Sequence, residues 1–286
     1  MISIPIAVYN GLFQWQLDLF WYNHRKVYGD KAFDKALAVI VDRNKISDVK
    51  CNSFDWFVGV PYCVCKSYFD YMGHSLPEAL VPLNIQTGLK QVINSFNDDE
   101  IIELIDCDMF HLREHPVMDV EDNEFFVCAI YEKWHLRSLS NNKNIVEKYL
   151  IDGHGSYNGG FVPIIGKAKT FKKILDEWID LHIKMVDDNP GASLELIRWW
   201  CGMYSFQAVC ANNNIKLTAK NWCHVPPETK LSENHYICHY SCDKTFDKKK
   251  FAQLKIDLIK GNEYYDAIRD WCDYCKSDKK KFKSFL

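Results

Sequence analysis

The run Ala36-Leu37-Ala38-Val39-Ile40-Val41-Asp42 constrains the fold more than any other stretch of the chain. Its apolar side chains occupy consecutive positions instead of alternating, so both faces of a strand built from it must be covered, as in the interior of a parallel sheet. The preceding segments supply the matching unit. Ile4 to Tyr9 is a short β-branched and aromatic run halted by Asn10-Gly11, and Leu12 to Tyr28 carries Phe13, Leu17, Phe20, Trp21 and Val27 at helical spacing, with Gly29 as its stop. Phe57 to Pro61 then reads as a short strand, Gln86 to Phe96 as a helix, Ile101 to Ile105 as a strand leading into Asp106, and Phe125 to Tyr131 as another buried strand. This alternation predicts an α/β fold with a doubly wound, mostly parallel sheet flanked by helices.

Downstream, Gly159-Gly160 and Gly166 frame one more strand. Thr170 is placed to cap a helix whose stripe of Phe171, Ile174, Leu175, Trp178, Ile179, His182 and Met185 keeps a 3.6-residue period up to Asn189-Pro190-Gly191, and Ser193 to cap another running to about Cys210. No internal repeat and no Pro/Gly/Ser-rich linker divides the chain, so a single core is expected, and the lysine-rich stretch Lys276 to Lys283 reads as a solvated tail.

Charge and hydropathy exclude two classes of partner. Lys plus Arg number 35 against 38 Asp plus Glu, a net charge of -3, which lacks the basic field of a general nucleic-acid binder. The longest apolar run, Phe125 to Tyr131, is far shorter than the roughly 20 residues of a membrane span. The start, Met1-Ile2-Ser3-Ile4-Pro5-Ile6, lacks a basic leader and reads as a first strand, so a cytoplasmic location is expected. Most of the 12 cysteines, among them Cys107, Cys128, Cys201 and Cys210, lie in apolar segments and read as free thiols, and Cys63/Cys65, Cys238/Cys242 and Cys272/Cys275 are poor starts for a zinc site.

The sharpest chemical signal is Asp106-Cys107-Asp108 directly after a buried strand. Carboxylates two apart at a strand end can converge once the chain leaves the sheet, and open α/β sheets bind ligands at the carboxyl ends of their strands. Hard oxygen donors of this kind suit Mn2+ or Mg2+, which also bind the oxygens of a diphosphate. A bare D-x-D also occurs as an ordinary solvated turn. Phe110 replaces the Thr or Val that an aspartyl-nucleophile phosphatase needs, and no Walker loop or G-x-G-x-x-G is present. A second group, His235-Tyr236-Ile237-Cys238-His239-Tyr240 followed by Asp243 and Lys244, offers an imidazole and an ammonium. Taken alone, a histidine on such a run is more often a hydrogen-bonded core residue.

The order of these segments resembles the plant and algal peptidyl serine α-galactosyltransferases and hydroxyproline O-arabinosyltransferases. The similar stretches are Phe13-Gln14-Trp15-Gln16, Ile105-Asp106-Cys107-Asp108-Met109, Trp199 to Phe206, and Val225-Pro226-Pro227 leading to His239-Tyr240 and Phe246-Asp247-Lys248, spanning about Ile4 to Phe251. The resemblance implies a GT-A glycosyltransferase fold over 1–286, with a nucleotide-binding half over 1–110, an acceptor-side half over 111–250 and a helical, basic tail over 251–286. It further implies a UDP-sugar donor of the galactose, xylose or arabinose class, a glycan or glycoprotein acceptor, and a divalent metal held by Asp106, Asp108 and, as third ligand, His239. Asp106 would also face the donor, and Lys244 would neutralise its diphosphate. Relatives of this kind are usually Golgi-anchored and longer, which makes a compact homologue from a microbe or a large DNA virus the expectation here.

Other positions complete the expected site. Tyr9 and Asn10 end the first strand, where the resemblance implies the nucleotide base, and a turn with a core aromatic is the equal alternative. The polar, glycine-rich loop Asp152, His154, Tyr157, Asn158, Gly159 and Gly160 suits close approach by a sugar, and an ordinary surface loop is the competing account. Trp199, Trp200 and Trp222 offer stacking faces but also fit a core. Glu195 is the candidate general base, followed by Asp152, Asp187 and Asp188, while the competing role for Glu195 is to complement a helix dipole. The alternative function is a non-catalytic nucleotide-sugar or carbohydrate-binding module; the joint presence of Asp106, Asp108 and His239 argues against it.

Overall fold

A computed structural model describes residues 1–8, 11–42, 62–66, 83–116, 118–128, 147–150, 161–189, 201–225, 230–240 and 263–277. Strands β1 (Ile2–Val8), β2 (Ala38–Asp42), β3 (Tyr62–Lys66), β4 (Ile101–Asp106), β6 (Glu124–Cys128), β7 (Phe161–Lys167) and β8 (Lys216–Lys220) form a seven-stranded sheet in the order β3-β2-β1-β4-β7-β6-β8. A small second sheet holds β5 (Met109–His111), β9 (Cys223–His224) and β10 (Ile237–His239), with β10 in the middle. The helices are α1 (Gly11–Tyr28), α2 (Leu83–Val92), α3 (Ala168–Asp187), α4 (Cys201–Asn212) and α5 (Glu263–Ser277).

Pairing is parallel for β1 with β2 and β4, for β2 with β3 and for β6 with β8, whereas β7 runs antiparallel to both of its neighbours, β4 and β6. The expected α/β sheet is thus mostly parallel, with one reversed strand that hydropathy could not orient. The consecutive apolar residues of β2 lie where their pattern demands: Ala38, Val39, Ile40 and Val41 are all buried between β1 and β3. The predicted strand over 57–61 lies outside the described residues, and the described strand β3 begins at Tyr62.

Helix α3 follows its apolar period closely, with Phe171, Ile174, Leu175, Trp178, Ile179, His182 and Met185 all buried. Its start differs from the expectation. The helix begins at Ala168, so Thr170 sits inside the first turn and donates its hydroxyl to the Asp122 carbonyl. The amides of Ala168 and Lys169, which a capping side chain would otherwise have to serve, donate instead to the carbonyls of Glu100 and Asp98 at 2.8 and 3.0 Å. Ser193 lies outside the described residues. Where α3 crosses α4, the Trp178 indole N–H donates to the Gly202 carbonyl at 2.9 Å. On β7, Gly166 is required by close approach, because a Cβ there would overlap the Phe125 ring.

The C-terminal helix packs on α1. The Trp271 indole, 1% exposed, donates to Asp18 Oδ2 of α1 at 2.8 Å, Tyr274 stacks on Tyr22, and Lys26 pairs with Asp270 at 2.7 Å. The lysines beyond 277 lie outside the described residues. Cys63, Cys65, Cys107, Cys128, Cys201, Cys210, Cys223, Cys238 and Cys272 are free thiols, as expected.

Burial holds the imidazoles of two core histidines far below their ordinary range, at about 3: His182 by burial alone, and His24 by burial together with the neighbouring His111. The unfolded chain therefore binds protons that the folded chain refuses between about pH 6.5 and pH 3, and stability is lost as pH falls through that window. Each histidine contributes up to about 1.4 kcal/mol per pH unit. The urea midpoint should drop between pH 7 and pH 5, and His182→Gln should make that drop shallower. An equal slope in wild type and variant would show that His182 protonates freely in the folded chain.

Candidate functional site

The order of the main sheet reverses between β1 and β4: from β1 the chain proceeds outward to β2 and β3, then returns to place β4 on the other side. Parallel α/β sheets present their ligand crevice at such a point, outside the carboxyl ends of the strands. β1 and β4 are in parallel register from Ile2 opposite Ile102 to Ile6 opposite Asp106, so Asp106 is the last residue of β4 at that edge.

A two-residue turn, Cys107-Asp108, then reverses the chain into β5. The Cys107 thiol donates to Gln16 Oε1 of α1 at 3.0 Å, and Gln16 is itself buried. This contact turns the central side chain of the D-x-D toward the helix and leaves the two carboxylates on the other side. The third group comes from far along the chain. β10 pairs antiparallel with β5, with His239 opposite Met109 and Cys238 opposite Phe110, and the Tyr240 amide donates to the Asp108 carbonyl at 3.3 Å. That register sets His239 Nε2 at 3.2 Å from Asp108 Oδ1 and 4.0 Å from Asp106 Oδ2.

One ligand atom from each of Asp106, Asp108 and His239 lies within 4.8 Å of the others. Ligand atoms around an octahedral ion bonded at about 2.1 Å stand roughly 3 to 4.2 Å apart, so the cluster needs little rearrangement to share one cation. Its environment is graded: the side chain of Asp106 is 22% exposed, that of Asp108 12% and that of His239 6%. Two carboxylates so close repel one another, and a divalent cation is the partner that satisfies both. The donor set therefore fits a divalent metal.

The structure thus brings together the three residues expected as metal ligands. Tyr9, Asn10, Asp152, His154, Tyr157, Asn158, Gly159, Gly160, Glu195, Trp199, Trp200, Asp243 and Lys244 lie outside the described residues. Asp188, one of the secondary acids, accepts from the Tyr149 hydroxyl at 2.8 Å and pairs with Lys184 and Lys148 at 3.1 and 3.4 Å. The Tyr149 hydroxyl and those ammonium groups hold its carboxyl down to about 2. Asp187 is exposed at the end of α3. Trp222 is half-buried and packs edge-on against His115, Phe126 and Tyr236.

Sequence reasoning missed two contributors. Gln16 entered only as part of a matching stretch, and nothing local marks it as the partner of Cys107. Glu103, the one acid in the apolar run Ile101 to Ile105, is fully buried, and its position in that run was the available signal.

Residues 5–219 match the model of the hydroxyproline O-arabinosyltransferase family N-terminal domain. No curated protein matches the chain. Among solved structures it is similar to the galactosyltransferase LgtC in complex with donor and acceptor sugar analogues, at 10% identity and a TM-score of 0.55, covering 94% of this chain and 100% of that one. It is also similar to the apo bifunctional glycosyltransferase WbbM, at 9% identity and a TM-score of 0.54, covering 99% of this chain and 51% of that one. At these identities the likeness establishes the fold, GT-A.

Without metal, Asp108→Asn and Asp106→Asn should leave Tm unchanged or slightly raised, because each relieves repulsion between two carboxylates. Mn2+ should raise the Tm of the wild type, and that rise should be lost in Asp108→Asn and reduced in Asp106→Asn, the more exposed of the two. A fall of many degrees in metal-free Asp108→Asn would instead make that carboxylate a folding element that anchors His239.

Proposed function

The chain belongs to the hydroxyproline O-arabinosyltransferase family and has the GT-A glycosyltransferase fold, and from that premise we propose that it moves a sugar from a UDP-linked donor to a hydroxyl of a glycan or glycoprotein, with a divalent metal. The observation that carries the reading is the convergence of Asp106, Asp108 and His239 at the carboxyl edge of β4. The similar LgtC structure is a complex with donor and acceptor sugar analogues, which favours the same division of ligands here. The donor class is galactose, xylose or arabinose.

When bound, a divalent cation supplies positive charge against the negative charge that grows on a departing nucleoside diphosphate. The chain's own residues do the rest. Asp106 and Asp108 present oxygens from a turn pinned by Gln16, and His239 closes the cluster from the second sheet with an imidazole where a third carboxylate would add negative charge against an approaching diphosphate. Tyr9 and Asn10 follow directly on β1, the strand beside β4, and are assigned to the nucleotide base. Asn158, Gly159 and Gly160 are assigned to the sugar and Lys244 to the diphosphate, on their sequence context. Glu195, with Asp152 behind it, is the candidate base that takes the acceptor proton.

Release of UDP from a nucleotide sugar, followed with Mn2+ and with chelator, tests the reaction. Release should require the metal and be faster with Mn2+ than with Mg2+, and His239→Ala should weaken Mn2+ and UDP binding together, since both occupy one coordination sphere. Unchanged UDP affinity in that variant by calorimetry would return His239 to a core role. Metal-dependent UDP binding without turnover on any hydroxyl acceptor would favour the non-catalytic binding module.

Glu195→Gln keeps the shape of the side chain and removes its basicity. With an inverting mechanism, turnover should fall by roughly 100-fold or more while donor binding is kept. Retained turnover would remove Glu195 from the mechanism, and an α-linked product from an α-linked donor would remove the need for such a base.

A further inference from the structure

Three residues before Asp106, β4 carries an acid that the metal cluster does not use. Glu103 is 0% exposed and stands on the opposite face of the strand from Asp106. Three side chains from three separate parts of the chain converge on it: Ser3 of β1 through its hydroxyl, His111 of β5 through Nε2 at 3.0 Å, and Tyr236, the residue before β10, through its hydroxyl at 3.2 Å. Burial alone would push the Glu103 carboxyl up, but the adjacent His111 and the hydroxyl of Ser3 hold it down to about 2. It is therefore ionised and can only accept, which makes His111 Nε2 a donor. The other ring nitrogen, His111 Nδ1, lies 3.2 Å from His24 Nδ1 on α1.

A carboxylate buried without partners costs several kcal/mol, so the folded chain must keep these donors assembled. Two of them sit on the elements that frame the metal cluster. His111 closes β5, the strand that begins one residue after Asp108. Tyr236 leads directly into β10, whose last residue is His239. β10 is three residues long, and a ladder that short fixes its place weakly without a side-chain anchor. Its start is also held through the backbone, by the amides of Leu112 and Arg113 on the Tyr236 carbonyl at 2.7 and 3.3 Å. These bonds set the register, while the Tyr236 hydroxyl ties the second sheet to the central strand of the first.

We propose that Glu103 is a positioning residue for the metal centre: by holding His111 and Tyr236 it seats β10 against β5 and so keeps His239 within reach of Asp108. This rests on the reading of Asp106, Asp108 and His239 as metal ligands. Glu103 touches neither metal nor donor, and its effect passes through the strands.

Tyr236→Phe removes one hydroxyl and keeps the ring that packs on His115 and Trp222. Glu103→Gln keeps the shape of the acid and removes its charge. Amide exchange, followed residue by residue, reads the seating without any metal. In both variants the Tyr240 amide, bonded to the Asp108 carbonyl, should exchange about tenfold faster or more, while the amides joining β1 to β4 exchange as in the wild type. Mn2+ affinity, read from the spin resonance of the free ion, should fall by about tenfold, the lower end of what substitutions behind metal ligands cost.

Unchanged exchange at Tyr240 in both variants would overturn the proposal. So would faster exchange at every amide, which marks a merely stabilising acid, or faster exchange at Tyr240 with full Mn2+ affinity. If the wild type itself holds no Mn2+, the metal reading fails, and exchange at Tyr240 alone then decides whether Glu103 seats His239.

Discussion

Backbone hydrogen bonds hold β1 and β4 parallel from Ile2 and Ile102 to Ile6 and Asp106, so both strands leave the sheet at the same edge. An antiparallel partner at that place would carry the first acid to the far side. The pairing also aligns the site with the crevice created by the reversal of strand order, and it gives the turn after Asp106 a fixed starting direction. The reversed strand β7 lies on the other side of β4, between β4 and β6, and does not disturb this edge.

The site depends on two sheets meeting, and the energetic weight of that junction falls on polar groups. Ser3, Glu103, His111 and Tyr236 bring charge and hydrogen bonds into the buried interior. Such a network gains little over an apolar core in raw stability, but it tolerates few alternative arrangements, because any slip of the short strands would leave a buried carboxylate with missing donors. Backbone bonds set the register of β10, and the acid ties the second sheet to the first. Specific seating of a three-residue strand is bought with a polar core.

Much of the main sheet was legible in the sequence because it depends on local pattern. Ala38 to Val41 are consecutive and buried, and the stripe of α3 from Phe171 to Met185 keeps its period and is buried throughout. The alternation of strands and helices pointed to a mostly parallel sheet but not to its one reversed strand: a strand framed by Gly159-Gly160 and Gly166 was expected, and an apolar run covered on both faces reads alike in either direction. Thr170 looked like a cap because of its type and place, yet the first-turn amides found carbonyls in the loop at 98–100, a partner that only the fold supplies. At the site, Asp106 and Asp108 were visible because they are near neighbours in the chain and directly follow a legible strand. His239 entered through a resemblance of ordered motifs, and its 3.2 Å approach to Asp108 depends on a register that no spacing rule encodes. Glu103 was hidden because an acid within an apolar strand reads as a solvent-facing position until its partners arrive from elsewhere in the chain.

The docking of α5 on α1 has a consequence in time. Trp271 and Asp18 are 253 residues apart, and the indole that covers the carboxylate leaves the ribosome last among the parts of that contact. At roughly 5–20 residues per second, α1 waits on the order of tens of seconds for its covering helix. During synthesis the outer face of α1 is therefore a hydrated, unfinished surface, and the nascent chain carries it past the assembly of the main sheet. Closing so long a loop adds little to the entropic cost, since that cost grows only with the logarithm of length. The penalty is exposure, which lasts until Trp271 arrives to cover Asp18.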